Sequence, residues 1–165
     1  MFKTLSLAAI MAAGALMAAP AMAHHYVVVD AADDGSMLRV LDQDSIAVSS
    51  GTIKQAWVMT MFAGKSVDDN VVRRHTLFLY DCGTPRSAFR QMEIYEQPSG
   101  APADSWSHDD NDLTWTPVEK DTIGWDTRAI VCGNTVPDPG VIVDADNDDM
   151  LNAMFEASYA DQSKK

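Results

Sequence analysis

The chain has few basic residues, little cysteine and no long apolar run beyond its start. It contains 12 Lys and Arg against 24 Asp and Glu, so its formal net charge at pH 7 is −12. A surface of that sign repels nucleic-acid phosphates and anionic lipid headgroups, which argues against nucleic-acid partners. After residue 23 no apolar stretch approaches the roughly 20 residues that a membrane span needs. We therefore expect no transmembrane helix.

The chain also lacks the short motifs of common hydrolases. It contains neither G-x-S-x-G nor H-E-x-x-H, so neither a serine nucleophile elbow nor a zincin helix is indicated. His75 alternates with Leu77 and Leu79, which is typical of a structural histidine in a sheet. The sequence thus predicts a protein that is not an enzyme and has no cofactor.

The first 23 residues have the parts of a secretory signal peptide. Lys3 supplies the basic start, Leu5–Met17 is an uncharged apolar run, and Ala21-Met22-Ala23 is a small-x-small cleavage site. Cleavage there would make His24 the first residue of the exported chain. No Cys stands at that site, so a lipid anchor is not indicated. We expect the protein in the periplasm or at the cell surface.

Period-two alternation predicts the strands. Thr52–Phe62 and Val71–Cys82 alternate over their whole lengths, and the largely apolar faces of Thr52–Phe62 indicate a central strand. Tyr26–Asp30 and Met37–Leu41 flank an Asp-Asp-Gly turn and predict a hairpin. Arg86–Gln97 is expected to form a fifth strand.

Helical signals come later in the chain. Asp121 is the expected cap of a helix that runs to about Val131, where Gly133 stops it. Asp146 or Asn147 would cap a second helix over Asp148–Ala160. The class is α+β: an antiparallel meander of five to six strands packed with a helix, plus a C-terminal helix. We expect a domain at residues 24–133 and an acidic linker with a helix at 134–165.

The exported part of the chain has two cysteines, Cys82 and Cys132. In an oxidising compartment an isolated pair most often forms a disulfide. The alternatives are a reactive thiol pair or half of a metal site. Neither is supported, because the chain has no C-x-x-C and no nearby histidine cluster.

Several motifs occur in an order that resembles the surface-adhesin protein E-like family of proteobacteria. The resemblance covers about Tyr26–Gly133 and rests on Asp42-x-Asp44-Ser45-Ile46, Gln55-Ala56-Trp57-Val58, Leu79-Tyr80-Asp81-Cys82, Trp115-x-Pro117-Val118 and Ile130-Val131-Cys132-Gly133. It implies an antiparallel sheet backed by a helix and tied by a Cys82–Cys132 bridge, with Trp57 and Trp115 in structural roles.

The resemblance also implies a function. It indicates an exported, non-enzymatic binding module whose partner is a protein in the envelope or on a host or matrix surface. The chain departs from the founding type because it lacks an anchor cysteine, is strongly acidic and carries the extension at residues 134–165. These departures leave the implied fold intact, whereas they weaken the inference of adhesion, because fold does not imply function.

The alternative function is periplasmic metal binding through copper ligands at the expected new N-terminus. A free amine with the imidazoles of His24 and His25 can chelate Cu²⁺ or Ni²⁺. Met59-x-Met61 offers thioethers that suit Cu⁺, although two Met residues beside Trp57 are more often core filler.

An acidic segment offers a second type of metal site. Asp144, Asp146 and Asp148 have the spacing that opens a Ca²⁺ loop. Asp149 stands where such a loop needs Gly, and Phe155 stands where it needs Glu. The competing interpretation is an acidic helix N-terminus that complements the helix dipole.

Four arginines cluster on two strands that are expected to be neighbours. If they share a face, they form a cationic patch for an anionic ligand or for the acidic tail. The competing interpretation is cross-strand ion pairs with Glu93 or Glu96. The arginines are Arg73, Arg74, Arg86 and Arg90.

Overall fold

A computed structural model describes residues 23–63, 70–98 and 100–162. Within these ranges nine strands and two helices follow one another along the chain. They are β1 (His24–Ala31), β2 (Met37–Asp42), β3 (Ala47–Ser50), β4 (Ile53–Phe62), β5 (Arg73–Asp81), β6 (Arg86–Tyr95), β7 (Asp104–Ser107), β8 (Trp115–Pro117), α1 (Ile123–Val131), β9 (Ile142–Ala145) and α2 (Asp148–Gln162). The predicted signal peptide lies outside these residues, apart from Ala23.

The strands form one antiparallel sheet in the order β7-β6-β5-β4-β2-β1-β9. In addition β3 pairs with β4, and β8 pairs with β6. The long strands β4 and β5 lie in the middle of this order, with Trp57 opposite Leu77 and Met59 opposite His75. The predicted α+β class and the predicted central position of β4 are confirmed.

The sheet has more strands than the five or six that the sequence predicts. The additional strands β3, β7, β8 and β9 have only three or four residues each. So few residues cannot show a period-two pattern, and most of these side chains are exposed. Strand β7 lies within a segment rich in Pro, Gly, Asp and Ser, a composition typical of loops.

Each face of the sheet carries one helix and one apolar cluster. On the first face Leu151 and Phe155 of α2 pack on Val40 and Met61. On the second face Val131 of α1 packs against Leu41, Ala56 and Tyr80, among others. Burial of such a side chain contributes about 1.5–3 kcal/mol to the free energy of folding. Met59 and Met61 are both buried here, as the core interpretation predicted.

Helix α1 begins one residue later than expected. Its N-cap is Thr122, whose hydroxyl accepts a hydrogen bond from the amide of Trp125 at 3.2 Å. Asp121 instead has a φ of 61°, which takes it out of the capping position. The helix ends as predicted at Gly133, whose φ of 76° is a conformation that glycine adopts without strain.

The segment after Gly133 contributes a strand to the sheet. Ile142–Ala145 forms β9 and pairs with the start of β1, where Val143 lies opposite Tyr26. The predicted C-terminal helix follows, and Asn147 caps it by accepting a hydrogen bond from the amide of Met150 at 2.9 Å. The extension thus adds an edge strand to the sheet that the preceding residues form.

None of the helices in the described ranges has the length and apolar character needed to cross a membrane.

Candidate functional site

The first strand brings the two predicted metal-binding segments together. Because β1 and β9 are antiparallel neighbours, His25 lies opposite Asp144. The Nε2 atom of His25 is 3.9 Å from an Asp144 carboxylate oxygen. The Nδ1 atom of the same ring is 3.0 Å from Asp44. Two hypotheses that were separate in sequence thus meet at one sheet edge.

His24 lies in a group of possible metal ligands with Asp42 and Asp44. One ligand atom from each residue can be chosen so that all lie within 4.8 Å of one another. The His24 Nδ1 atom lies 3.6 Å from Asp42 Oδ2. One imidazole with two carboxylates is a mixed nitrogen and oxygen set of the kind that binds divalent transition metals.

Hydrogen bonds and burial shift the pKa values of Asp42, Asp44 and the neighbouring His25. The amide of His25 donates to Asp44 at 2.8 Å and lowers the pKa of that carboxyl. In return the Asp44 hydrogen bond and charge raise the pKa of His25. Burial raises the pKa of Asp42. The pair His25–Asp44 is therefore held in its charged form over a wider pH range than isolated side chains would be.

The predicted calcium carboxylates do not point to one place. Asp144 approaches His25, whereas Asp148 accepts a hydrogen bond of 2.6 Å from the Tyr26 hydroxyl on the sheet face. Asp146 between them is exposed. The three carboxylates thus serve different neighbours at the junction of β9 and α2.

A small polar cavity lies beneath the N-terminus of α2. It has a volume of about 160 Å³, and Trp57, His75 and Asp148 are among its lining residues. His75 is buried, with its Nε2 atom 3.6 Å from Asp148 and its Nδ1 atom 3.9 Å from Glu93. Burial lowers the pKa of His75 despite these two acids. At neutral pH it is an uncharged sheet histidine.

The two cysteines form a disulfide. The Cys82 and Cys132 sulfurs are 2.04 Å apart, and the bridge joins the end of β5 to the end of α1. Asp81 stands beside it and accepts hydrogen bonds from the amides of Gly83 and Thr84 and from Arg86. Burial opposes the charge of Asp81, but these donors outweigh it and lower its pKa.

Trp57 and Trp115 lie at the margin of the buried core. Trp57 is half-buried and lines the cavity beside His75, with ring centroids 6.4 Å apart. Trp115 is half-buried on β8, where the Arg86 guanidinium lies 4.7 Å from its ring centroid. Both make specific ring contacts and neither is fully buried in the core.

Three of the four arginines form ion pairs with different acids rather than with one shared group of acids. The expected pairs with Glu93 or Glu96 are wrong for three of them, which instead pair with Asp149, Asp81 and Asp110 at 3.0 to 3.3 Å. These are the pairs Arg73–Asp149, Arg86–Asp81 and Arg90–Asp110. Asp81 is the direct cross-strand neighbour of Arg86 on β5 and β6, whereas α2 brings Asp149 to Arg73 and the loop after β7 brings Asp110 to Arg90.

An aromatic edge is present that the sequence interpretation missed. Strand β7 lies at the end of the strand order, and all four of its residues are exposed. Its Trp106 remains 41% exposed while its ring meets Phe89 at 6.5 Å between centroids. His108 packs on the other side of this group, 5.3 Å from Phe89. Exposed aromatic residues are typical of protein interfaces.

A signal for this edge exists in the sequence. Ser105-Trp106-Ser107 places one large aromatic residue within a polar loop-like segment. A tryptophan that no local apolar pattern explains is a reason to expect either a lone core contact or a binding residue.

Comparison with known proteins gives one family. The family model described as Surface-adhesin protein E matches residues 26–133. A solved structure of Haemophilus influenzae protein E, in crystal form II, aligns with a TM-score of 0.45 at 13% identity, covering 58% of this chain and 80% of that one. A crystal structure of protein E from non-typeable Haemophilus influenzae aligns with a TM-score of 0.45 at 11% identity, covering 82% and 88% respectively. No curated protein matches the chain.

Proposed function

Since the chain belongs to the surface-adhesin protein E family, we propose that it is an exported, non-enzymatic binding module that faces outward from the cell. Membership over residues 26–133 is the observation that carries the proposal, and it describes an adhesion-like envelope protein. We further propose that residues 1–23 are removed, that the protein is exposed to the outside of the cell, and that its partner is a protein. We also propose that residues 134–165 act with the preceding domain, because β9 extends its sheet.

The geometry supports contact with a protein through the aromatic edge, which we define as Phe89, Trp106 and His108. The outer side of β7 has no neighbouring strand among the described residues, so its backbone groups are free to pair with an extended segment. Trp106 provides apolar area next to that backbone. Such a combination gives main-chain affinity together with one side-chain anchor.

The chemistry of the described residues supports a non-enzymatic role. The cysteines are joined to each other, so no free thiol is present there. The buried His75 faces two carboxylates and two aromatic rings, and no Ser or Thr hydroxyl in the described ranges donates to it. Without an aligned nucleophile and base, these residues do not support hydrolysis through a covalent intermediate.

The test is binding of the chain from His24 to a panel of immobilised extracellular-matrix proteins, measured by interferometry. We expect saturable binding to at least one matrix protein, weakened tenfold or more by Trp106→Ala. The matched control is Trp125→Ala, since Trp125 lies on α1, away from β7. No binding to any panel member, or equal loss in both variants, would overturn the role of this edge.

A second candidate function is favoured by the ligand group at His24, Asp42 and Asp44. We infer that an N-terminus at His24 would add its amine to these side chains and complete a site for Cu²⁺ or Ni²⁺. Calorimetric titration of the chain beginning at His24 with Cu²⁺ should then saturate at micromolar concentration. His24→Ala and Asp44→Asn should each weaken it, and His108→Ala is the control. Ca²⁺ titration of an Asp144→Asn, Asp148→Asn variant tests the acidic segment separately.

A further inference from the structure

Helix α1 covers only part of its sheet face and leaves a groove beside it. Val131, at the end of the helix, lies over Ala56 and Tyr80, and the groove extends towards the other ends of β4 and β5, where Phe62 and Arg74 line it. The groove has a volume of about 490 Å³, which is in the range of small-molecule sites. One turn of α1, at Ile123 and Thr127, forms one wall.

The groove floor is amphipathic. Phe62, Phe78 and Met92 provide an apolar surface, and Thr60 and Thr76 add hydroxyl groups. Thr60 lies opposite Arg74, and Thr76 opposite Met92, so antiparallel pairing places these side chains on one face. The arrangement has the mostly apolar walls and few polar groups that are typical of ligand sites.

The charge of the groove is opposite to that of the protein. Arg39 and Arg74 line it, and its lining residues include neither Asp nor Glu, in a chain with a net charge of −12. Arg39 is already paired with Asp30, 3.4 Å away. A cationic spot on an acidic protein selects an anion and holds it against the surrounding repulsion.

Arg74 has hydrogen-bonding capacity that its described neighbours do not use. Its guanidinium carbon lies 5.5 Å from the centroid of the Phe62 ring. Its Nε atom is buried and makes no hydrogen bond within the part of the chain that the structure describes. A buried donor left unpaired costs free energy, and an incoming anion would relieve that cost.

We propose that this groove binds one free amphipathic organic anion, with its carboxylate or sulfonate on Arg74 and its apolar body along Phe62, Phe78 and Met92. A volume of about 490 Å³ accommodates a single small molecule. The net charge of −12 disfavours an anionic membrane as the source of the ligand. The inference is independent of the aromatic edge and of the proposed metal ligands.

The test uses two fluorescent probes with the same aromatic skeleton. 8-Anilinonaphthalene-1-sulfonate carries an anionic group, and N-phenyl-1-naphthylamine lacks it. We expect the first to bind one saturable site at micromolar concentration and to be displaced by sodium laurate. Arg74→Gln should weaken the anionic probe tenfold or more and change the neutral probe by less than twofold.

Matched variants locate the effect. Arg90→Gln removes the same charge outside the groove lining and should leave both probes unchanged. Thr76→Trp should fill the groove and abolish both, and Arg74→Lys should restore part of the anionic preference. If Arg74→Gln fails to fold, as judged by circular dichroism, Arg39→Gln takes its place with a smaller expected loss.

Three results would overturn the proposal. The anionic probe binds equally to wild type and Arg74→Gln, or Arg90→Gln weakens it as much, or neither probe shows saturable binding. Cosedimentation with phosphatidylglycerol vesicles that Arg74→Gln abolishes, without any displacement by laurate, would show that the ligand is a membrane headgroup instead.

Discussion

The two helices are attached to opposite faces of the sheet by different chemistry. α1 is joined covalently through Cys82–Cys132, and Arg128 donates to the Asp81 carbonyl at 2.9 Å next to that bridge. Within the described residues, no disulfide joins α2 to the sheet. This helix is held by apolar packing of Phe155 and by polar contacts at its N-terminus, chiefly Tyr26 with Asp148.

This difference separates two kinds of stability. A disulfide stabilises mainly by restricting the unfolded chain, so its contribution hardly depends on pH. The contacts of α2 include the acids Asp148 and Asp149 and the buried His75, so protonation changes them. We expect α1 to stay in place under conditions that release α2.

The largest effect is expected from breaking the covalent attachment. Cys82→Ser opens a loop with a sequence separation of 50 residues. The loop-entropy model gives a loss of about 4 kcal/mol in the free energy of unfolding. Urea denaturation measures it, and the double variant with Cys132→Ser should lose a similar amount. An unchanged midpoint in both would contradict the bridge.

The next effect concerns the apolar attachment of α2. Phe155→Ala removes a buried ring and should lower the free energy of unfolding by about 3 kcal/mol. Met154 is its neighbour on the same helix but is 44% exposed. Met154→Ala should therefore cost less than about 0.5 kcal/mol. Similar melting temperatures for the two variants would mean that α2 does not dock through Phe155.

A smaller effect is expected from the polar contact. Tyr26→Phe removes the 2.6 Å hydrogen bond to Asp148 and keeps the ring in place, so we expect a loss of about 1 kcal/mol. A double-mutant cycle with Asp148→Asn isolates the contact. Strict additivity in that cycle would show that the two side chains contribute independently.

The smallest effect is the pH dependence that His75 contributes next to α2. Because burial lowers the pKa of His75 in the folded state, the unfolded chain binds its proton first as pH falls. The His75 contribution is complete above its unfolded pKa of about 6.5 and is lost as pH falls towards its folded pKa. Chemical denaturation between pH 7 and pH 5 should show a smaller decline in His75→Gln than in wild type. His108→Gln is the control, and an equal decline in all three proteins would contradict this role.

Sequence patterns predicted the parts of the fold that repeat over many residues. The period-two alternation in β4 and β5 extends over enough residues to define these strands. The helical spacing of apolar residues such as Leu151 and Phe155 likewise defines α2. Strands β3, β7, β8 and β9 escaped because they have three or four residues and are formed by pairing with a neighbour rather than by local pattern.

The candidate sites depend more on tertiary pairing. His24 and His25 were identified from the sequence, but Asp42 and Asp44 become their neighbours only because of the β1–β2 hairpin. The groove at Arg74 exists because α1 is short, and no local signal indicates which part of a face a helix leaves open. Trp106 was visible as an isolated tryptophan, yet its edge position follows from the strand order.

We propose that the protein is a binding module that faces out of the cell. The most direct test is protease digestion of an epitope-tagged chain on intact cells of the source organism, followed by immunodetection. We predict that the chain is digested before the outer membrane is opened, while a periplasmic control protein survives. Protection of the chain until the cells are lysed would contradict the outward-facing role.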